Sequence, residues 1–190
     1  MKALILNGER KGESVLDFLQ ETTVHVLSDA GWLVETVLLR DKKIAGCTGC
    51  FGCWTKTPGT CVINDFGTML AGKVVKSDLM IYLTPVTFGG YSSELKKAID
   101  RFACSMLLPF FTKIDGKVYH KARYKPLPGL LGIGILPAAE EESERIFKKL
   151  VERNAINIHS SSVQSAVYYL SQDCGQIVEG LQSILRNMIK

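Results

Sequence analysis

Leu79-Met-Ile-Tyr-Leu-Thr-Pro-Val-Thr-Phe-Gly-Gly-Tyr91 begins as an unbroken apolar run and ends as a loop much less polar than a solvent loop should be. An apolar run of that length is a strand covered on both faces, as the central strands of a parallel sheet are. Apolar runs rich in β-branched residues recur at 2–6, 33–39, 130–136 and 163–169, alternating with longer segments of helical period. That alternation is the signature of βαβ units. The runs at 2–6 and 130–136 are as apolar as the one at 79–83, whereas 33–39 carries Glu35 and Thr36 and 163–169 carries Gln164 and Ser165. The first three are therefore central and the other two are edges. The expected fold is α/β, a three-layer sandwich on a five-stranded parallel sheet of order 2-1-3-4-5, with right-handed crossovers placing helices on both faces. The winding reverses between strands one and three, and a ligand belongs beyond their carboxyl ends.

The helical segments carry matching start signals. Ser14 precedes Val15, Phe18, Leu19, Thr22 and Val26, and Gly31 closes that segment. Asp65 precedes Phe66, Met69, Leu70 and Val74, and Ser93 with Glu94 opens a stripe of Leu95, Ile99 and Phe102. Glu140, Glu141, Glu142 and Glu144 crowd the start of the fourth helix, with Lys148, Lys149 and Arg153 towards its end, as the helix dipole favours. Asp173 is placed to cap the fifth, whose Ile177, Leu181, Ile184 and Met188 face inwards.

With 190 residues, 46% hydrophobic and 22% charged, the chain is expected to be a single domain over 1–190, without disorder. A chain of this size hides roughly 70% of its unfolded surface. No apolar run is long enough for a membrane span, and residues 1–7 run straight into a strand with no signal-peptide pattern, so a cytoplasmic location is expected. Lys and Arg exceed Asp and Glu by 23 to 19 but are scattered, with no basic stripe interleaved with aromatics, so no nucleic-acid partner is expected.

Two loops fall at the reversal. After strand one, Asn7-Gly8-Glu9-Arg10-Lys11-Gly12-Glu13-Ser14 runs into a helix start. Outward N–H groups, the helix dipole, the Ser14 hydroxyl and the charges of Arg10 and Lys11 can hold a phosphate there, although the spacing is neither a Walker A loop nor G-x-G-x-x-G. After strand three, Pro85 stiffens the strand exit, Gly89 and Gly90 allow close backbone approach, and Phe88 and Tyr91 offer flat apolar area. N–H groups around Thr87 to Gly90 can bond the heteroatoms of a planar ring while Val86 and Phe88 lie near it. The alternative is a buried turn packed on a neighbouring subunit.

The stretch from Thr84 to Arg101, with Thr84-Pro85-Val86-Thr87-Phe88-Gly89-Gly90-Tyr91 at its head, resembles the ring-binding loop and following helix of the NADPH-dependent FMN reductases, within the flavodoxin-like flavoproteins. Asn7-Gly8-Glu9-Arg10-Lys11-Gly12 resembles their phosphate loop. The resemblance covers residues 1–103 and implies FMN, with its phosphate on 8–15 (Gly8 to Val15) and its isoalloxazine on 85–91, reduced by NAD(P)H. The family usually reads Gly-Ser-Pro-Arg with a later Asn-Thr. Here Glu9 stands at the Ser, the Pro is missing, and Ser14-Val15 replaces Asn-Thr. A carboxylate beside a phosphate is repulsive by about 1 kcal/mol in water, so Glu9 is expected to turn outwards while Arg10 and Lys11 neutralise the anion.

Six cysteines in a reduced compartment point to metal or redox chemistry rather than disulfides. Cys47, Cys50, Cys53 and Cys61 form C-x2-C-x2-C-x7-C, and Pro58-Gly59 can turn the chain so that Cys61 returns to the other three. The motif resembles that of the iron–sulfur flavoproteins, which implies a [4Fe-4S] cluster passing single electrons to FMN. Four-thiolate zinc and unligated thiols lining the flavin pocket remain open alternatives. Cys104 and Cys174 stand apart and read as small buried apolar residues.

Residues 105–129 form an insertion rich in aromatics and bases, with Phe110, Phe111, Tyr119, His120, Arg123 and Tyr124, and Ile114-Asp-Gly-Lys-Val118 reads as a tight hairpin. A segment of this kind serves as a lid or subunit contact, so a homodimer or homotetramer is expected; Lys121 or Arg123 can meet a nicotinamide phosphate, and His120 reads as an exposed histidine. The leading function is an FMN-dependent NAD(P)H oxidoreductase reducing a small acceptor such as a quinone, a nitro compound or free flavin. No catalytic side chain is needed, because the flavin supplies the chemistry. The rival is an iron–sulfur flavoprotein exchanging single electrons with a ferredoxin-like partner, and a third reading is a binding domain that has lost FMN.

Overall fold

Unbroken apolar runs become strands buried along their length. In the computed structural model, which describes residues 1–188 apart from the Cys104 side chain, these are β1 (Lys2–Asn7), β3 (Leu79–Pro85) and β6 (Gly129–Leu136). The mixed runs become β2 (Leu33–Leu38) and β7 (Val163–Tyr169), and both are edges. All pairings in this sheet are parallel, with Lys2 opposite Leu33, Ala3 opposite Leu79, Leu79 opposite Gly129 and Leu130 opposite Val163. The order β2-β1-β3-β6-β7 is the expected 2-1-3-4-5 once the two-stranded β4–β5 hairpin is set aside.

Alternation of side chains along each strand divides the core into two layers. Ala3, Ile5, Ile81 and Ile133 pack with Leu16, Leu19 and Leu27 around α1 (Asp17–Asp29), and with Ile177, Leu181 and Leu185 of α6 (Cys174–Met188). Leu4, Leu6, Met80 and Tyr82 pack on the other face with Leu70 and Val74 of α3 (Phe66–Val75), Leu95 and Phe102 of α4 (Ser93–Met106), and Phe147 and Val151 of α5 (Glu141–Asn157). A single-turn helix, α2 (Gly52–Thr55), lies in the cysteine segment.

Several details differ from the sequence reading. Helix α1 begins at Asp17 rather than beside Ser14, because residues 9–16 form an extended turn whose last N–H is satisfied by a side chain seven residues earlier. Its buried stripe is therefore Leu16, Leu19, Thr23 and Leu27, while Val15 and Phe18 are exposed. Met69 also faces out. The cap of α4 is Ser92, which accepts from the Leu95 N–H, and Asp65 caps α3 and Asp173 serves α6 as expected. Cys174 is exposed rather than buried, and the Cys104 side chain lies outside the described residues.

The insertion forms β4 (Leu107–Ile114) and β5 (Lys117–Ala122), antiparallel across Asp115-Gly116, where φ of +48° and +76° gives the primed turn that suits a two-residue hairpin. No helix among the described residues is long and apolar enough to cross a membrane.

Candidate functional site

At the carboxyl end of β1 the chain must turn under α4, and only a residue without a side chain passes. A Cβ on Gly8 would lie 2.7 Å from both Leu95 Cβ and Ser92 Oγ. Gly8 N–H donates to Leu83 O at 2.8 Å, and the Ser92 hydroxyl donates to Gly8 O, so the loops after β1 and β3 are joined directly. Asn7 is buried at their junction. Its Oδ1 accepts from Glu9 N–H at 2.8 Å and its Nδ2 donates to Gln20 Oε1 at 2.9 Å.

Glu9 turns inwards, against expectation, and its side chain is fully buried. Oε1 accepts from Leu16 N–H at 2.9 Å and Oε2 receives the Arg40 guanidinium, which also donates to Glu13 O at 3.3 Å. The expectation treated Glu9 as an unpaired charge. Arg40, just past β2, supplies the counter-ion, and the Leu16 N–H supplies the hydrogen bond that a buried carboxylate needs. Arg10, Lys11, Gly12, Ser14 and Val15 are exposed along the outer edge of the loop.

The loop after β3 is fixed at its base and open at its tip. Val86 N–H continues the sheet to Ile135 O at 2.9 Å, and Thr84 Oγ1 accepts from Ser92 N–H at 3.0 Å. Thr87 and Gly90 bond each other reciprocally at 3.0 and 2.8 Å, so the N–H groups expected to meet ring heteroatoms are partly engaged. Among the described residues, those of Phe88 and Gly89 at the tip have no partner within the chain. Phe88 is 98% exposed with φ of +49°, a left-handed conformation that costs a non-glycine residue roughly 1–2 kcal/mol. Tyr91 is half-buried. It packs edge-on against Tyr82 and Phe147, its hydroxyl accepts from Asn154 Nδ2 at 2.9 Å, and burial pushes its phenol up to about 12.

The cysteine segment follows β2 and packs along α4, against Arg101 and the Leu107 carbonyl. Gly59 N–H bonds Cys53 O at 2.9 Å and turns the chain back, so that Cys47, Cys50, Cys53 and Cys61 line one small cavity of about 40 Å³. Arg101 closes it. Its guanidinium donates to Ala45 O and Ile63 O, each at 2.9 Å, and to both Asp65 oxygens at 2.8 Å. The thiols are unequal. The Gly52 backbone and the Thr48 hydroxyl pull Cys50 below its ordinary value, whereas burial and then the neighbouring Cys61 push Cys53 up. Among the described residues no three His, Cys, Asp or Glu side chains converge as a metal-holding set.

The hairpin packs on this segment. Trp54 Nε1 donates to Leu107 O at 3.1 Å, and His120 lies between Trp54 and Phe111 with ring centroids 4.6 and 4.8 Å away. His120 is thus half-buried, with Nδ1 2.9 Å from Leu108 O, rather than exposed. Arg123 donates to Ser105 O and Leu107 O, while Lys121 is exposed. Arg40 was missed by sequence reasoning. It stands 31 positions from Glu9, and only the adjacency of β1 and β2 brings the two together.

The sequence profile of the NADPH-dependent FMN reductase family matches residues 1–141. An iron–sulfur flavoprotein of Methanocaldococcus jannaschii is 32% identical over 101 residues, covering 53% of this chain and 51% of that protein. An iron–sulfur flavoprotein of Archaeoglobus fulgidus is 36% identical over 102 residues, covering 53% of this chain and 45% of that protein. These matches span about half of each curated relative. Among solved structures, an NAD(P)H:quinone oxidoreductase from Methanothermobacter marburgensis superposes with a TM-score of 0.75 at 14% identity, covering 100% of this chain and 98% of that one. An FMN-dependent NADH-azoreductase from Bacillus anthracis, in complex with FMN, superposes with a TM-score of 0.63 at 10% identity, covering 98% and 97%. At such identities the likeness is one of fold, and that fold is flavodoxin-like.

Proposed function

This chain belongs to the NADPH-dependent FMN reductase family, and from that premise we propose that it is a cytoplasmic oxidoreductase that holds FMN, takes electrons from NAD(P)H and reduces a small acceptor such as a quinone, a nitro compound or free flavin. The observation that carries the reading is the union of two loops at the reversal of sheet winding, where Ser92 and Leu83 both bond Gly8. The loop after β3 suits a flavin ring: Phe88 is exposed, Val86 is apolar, and the N–H groups of Phe88 and Gly89 point to no partner of their own. Residues 8–15 would take the ribityl phosphate, with Arg10 and Lys11 at the rim. Bound FMN supplies the hydride-accepting and electron-passing chemistry. The chain's own residues position the ring, keep its buried edge dry and leave the outer face to donor and acceptor in turn.

Anaerobic protein soaked in FMN and cleared of the excess is expected to keep a flavin absorption band that NADPH bleaches within a stopped-flow mixing experiment. Phe88→Ala is expected to lower FMN affinity at least several-fold while leaving the melting midpoint nearly unchanged, since the ring packs on nothing in the protein. A sample that stays colourless after soaking would overturn the proposal.

A second reading is favoured by the four thiols around one cavity and by the iron–sulfur flavoprotein relatives: a one-electron carrier with a [4Fe-4S] cluster and a ferredoxin-like partner. Among the described residues the sulfurs do not converge as a ligand set. Iron and acid-labile sulfide in anaerobically purified protein, with bleaching by reduced ferredoxin and not by NADPH, would select this reading.

A further inference from the structure

At the amino-terminal end of β1 and β2, the chain leaves an open groove of about 590 Å³ beside α3. Pairing of Lys2 with Leu33 and of Leu4 with Glu35 puts these four side chains on one face of the sheet, the face that α3 covers. Helix α3 turns Leu70, Ala71 and Val74 to the core and leaves Met69, Gly72, Lys73 and Lys76, three and four residues apart, along the groove. Leu4 is buried beneath it, while Leu33 and Met69 are 68% and 62% exposed where they line it. Gly72 is a gap in the helix. Its φ is not positive and a Cβ there would meet nothing within 4 Å, so neither backbone nor packing calls for a residue that weakens a helix interior. Gly72 and Lys76 also line a second hollow of about 300 Å³ that reaches Met106 and Tyr124, so the two spaces adjoin where the helix has no side chain.

Charge along the groove is uneven. Lys73 Nζ is held by Glu35 Oε1 at 2.7 Å, whereas the ammonium groups of Lys2 and Lys76 have no partner among the described residues. Lys76 comes just before Asp78, whose N–H bonds Lys2 O at 2.8 Å and whose Oδ2 takes the Lys2 N–H at 2.7 Å, so the two amines share one end of the groove. Against three lysines stand only Glu35 and Asp78, which leaves a positive surplus. The groove at the opposite edge of the sheet, between α5 and β7, differs: Arg145, Lys148 and Lys149 are each paired with a glutamate of their own helix. We propose that the groove beside α3 is a second binding site, for a small amphipathic anion whose apolar body covers Leu4, Leu33 and Met69 and whose acid group meets Lys2 and Lys76. Exposed ammonium groups hold a carboxylate weakly by themselves, so the apolar body supplies most of the affinity and the lysines select the charge. The site is independent of the flavin reading, because Lys2 and Asn7 stand at opposite ends of β1.

The test is calorimetric titration of the full-length protein with octanoate, and with octanol and octylamine as its uncharged and cationic counterparts. Wild type is expected to bind octanoate saturably and to prefer it to octanol by about fivefold or more. Lys2→Gln combined with Lys76→Gln is expected to remove that preference while octanol binding changes less than about twofold. Gly72→Leu fills the open space from a position with no neighbour to displace and improves the helix, so it is expected to melt no lower than wild type and to weaken octanoate about tenfold or more. Three results would each overturn the proposal: no saturable octanoate binding at millimolar concentration, equal octanoate affinity in wild type and a folded Gly72→Leu protein, or an unchanged preference in the double lysine variant. Tighter binding of octylamine than of octanoate would also overturn it. A change in sedimentation on Gly72→Leu, without octanoate binding to wild type, would overturn it too and assign the face to a second copy of the chain. FMN retention is expected to be equal in all of these proteins, so a failure here leaves the flavin reading standing.

Discussion

Arg101 has no exposed side-chain surface, and its guanidinium joins three pieces of chain: Ala45 before the cysteines, Ile63 after them, and the Asp65 carboxylate that also caps α3. Burial alone would raise the Asp65 carboxyl. The hydrogen bond from Arg101 and the N–H groups of Ala45 and Gly67 more than offset it and hold the group below its ordinary value. A depressed folded-state value stabilises the protein above the unfolded carboxyl value of about 4, and that stabilisation is lost as pH falls through the folded value. Asp65→Asn leaves Arg101 buried without a counter-charge and is expected to cost about 3 kcal/mol at pH 7. The gap from wild type, read from urea melts, is expected to shrink as pH is lowered below about 4. A gap independent of pH would contradict this role. Asp65 was legible in the sequence as a cap. Arg101 was not legible as a clamp, because its partners lie 36 to 56 positions away and nothing in local spacing encodes them. Glu9 is the same lesson with the sign reversed, since its inward turn depends on Arg40.

At the scale of elements, spacing between layers is set by what β6 lacks. A Cβ on Gly134 would lie 2.5 Å from Val86 Cγ2 and 3.1 Å from the Phe147 ring, so this bare strand lets both the site loop and α5 settle close to the sheet. Gly134→Ala is expected to destabilise by about 1–3 kcal/mol, the usual consequence of overpacking. Because Val86 adjoins the tip proposed to meet the flavin ring, flavin affinity is expected to fall with it, whereas overpacking at Gly132, whose Cβ would press on Val151 at 2.4 Å, is expected to lower the melting midpoint alone. Comparable affinity losses in the two variants would refute the link. Strands, caps on α3 and α6, and the Asp115-Gly116 turn were all readable, because apolar runs, capping residues and turn residues act locally. The start of α1 was not. Ser14 looks like a cap, yet the donor at the helix entrance is already satisfied by Glu9, so the helix waits until Asp17 and its buried stripe shifts by one residue.

For the molecule as a whole, strand order followed from which runs were purely apolar, and that order pointed to the candidate site. Assembly is not written so plainly. The hairpin leaves Phe110, Phe111 and Val118 all about 60% exposed or more, on a segment that also packs on the cysteine loop through Trp54 and on His159 through the His120 carbonyl. We expect wild type to sediment as a homodimer or homotetramer and Phe110→Ser with Phe111→Ser to shift it towards monomer; a wild-type monomer at micromolar concentration would remove that role for the hairpin. The latch between Gly8 and Ser92 reaches across 84 positions of sequence. A nascent chain leaving the ribosome therefore carries its first turn unclosed until the third strand and the residues beyond it have emerged. Local helices and the first apolar strands must collapse around a crevice that cannot yet exist, and the competence to hold a dye arrives late in biogenesis, by long-range closure.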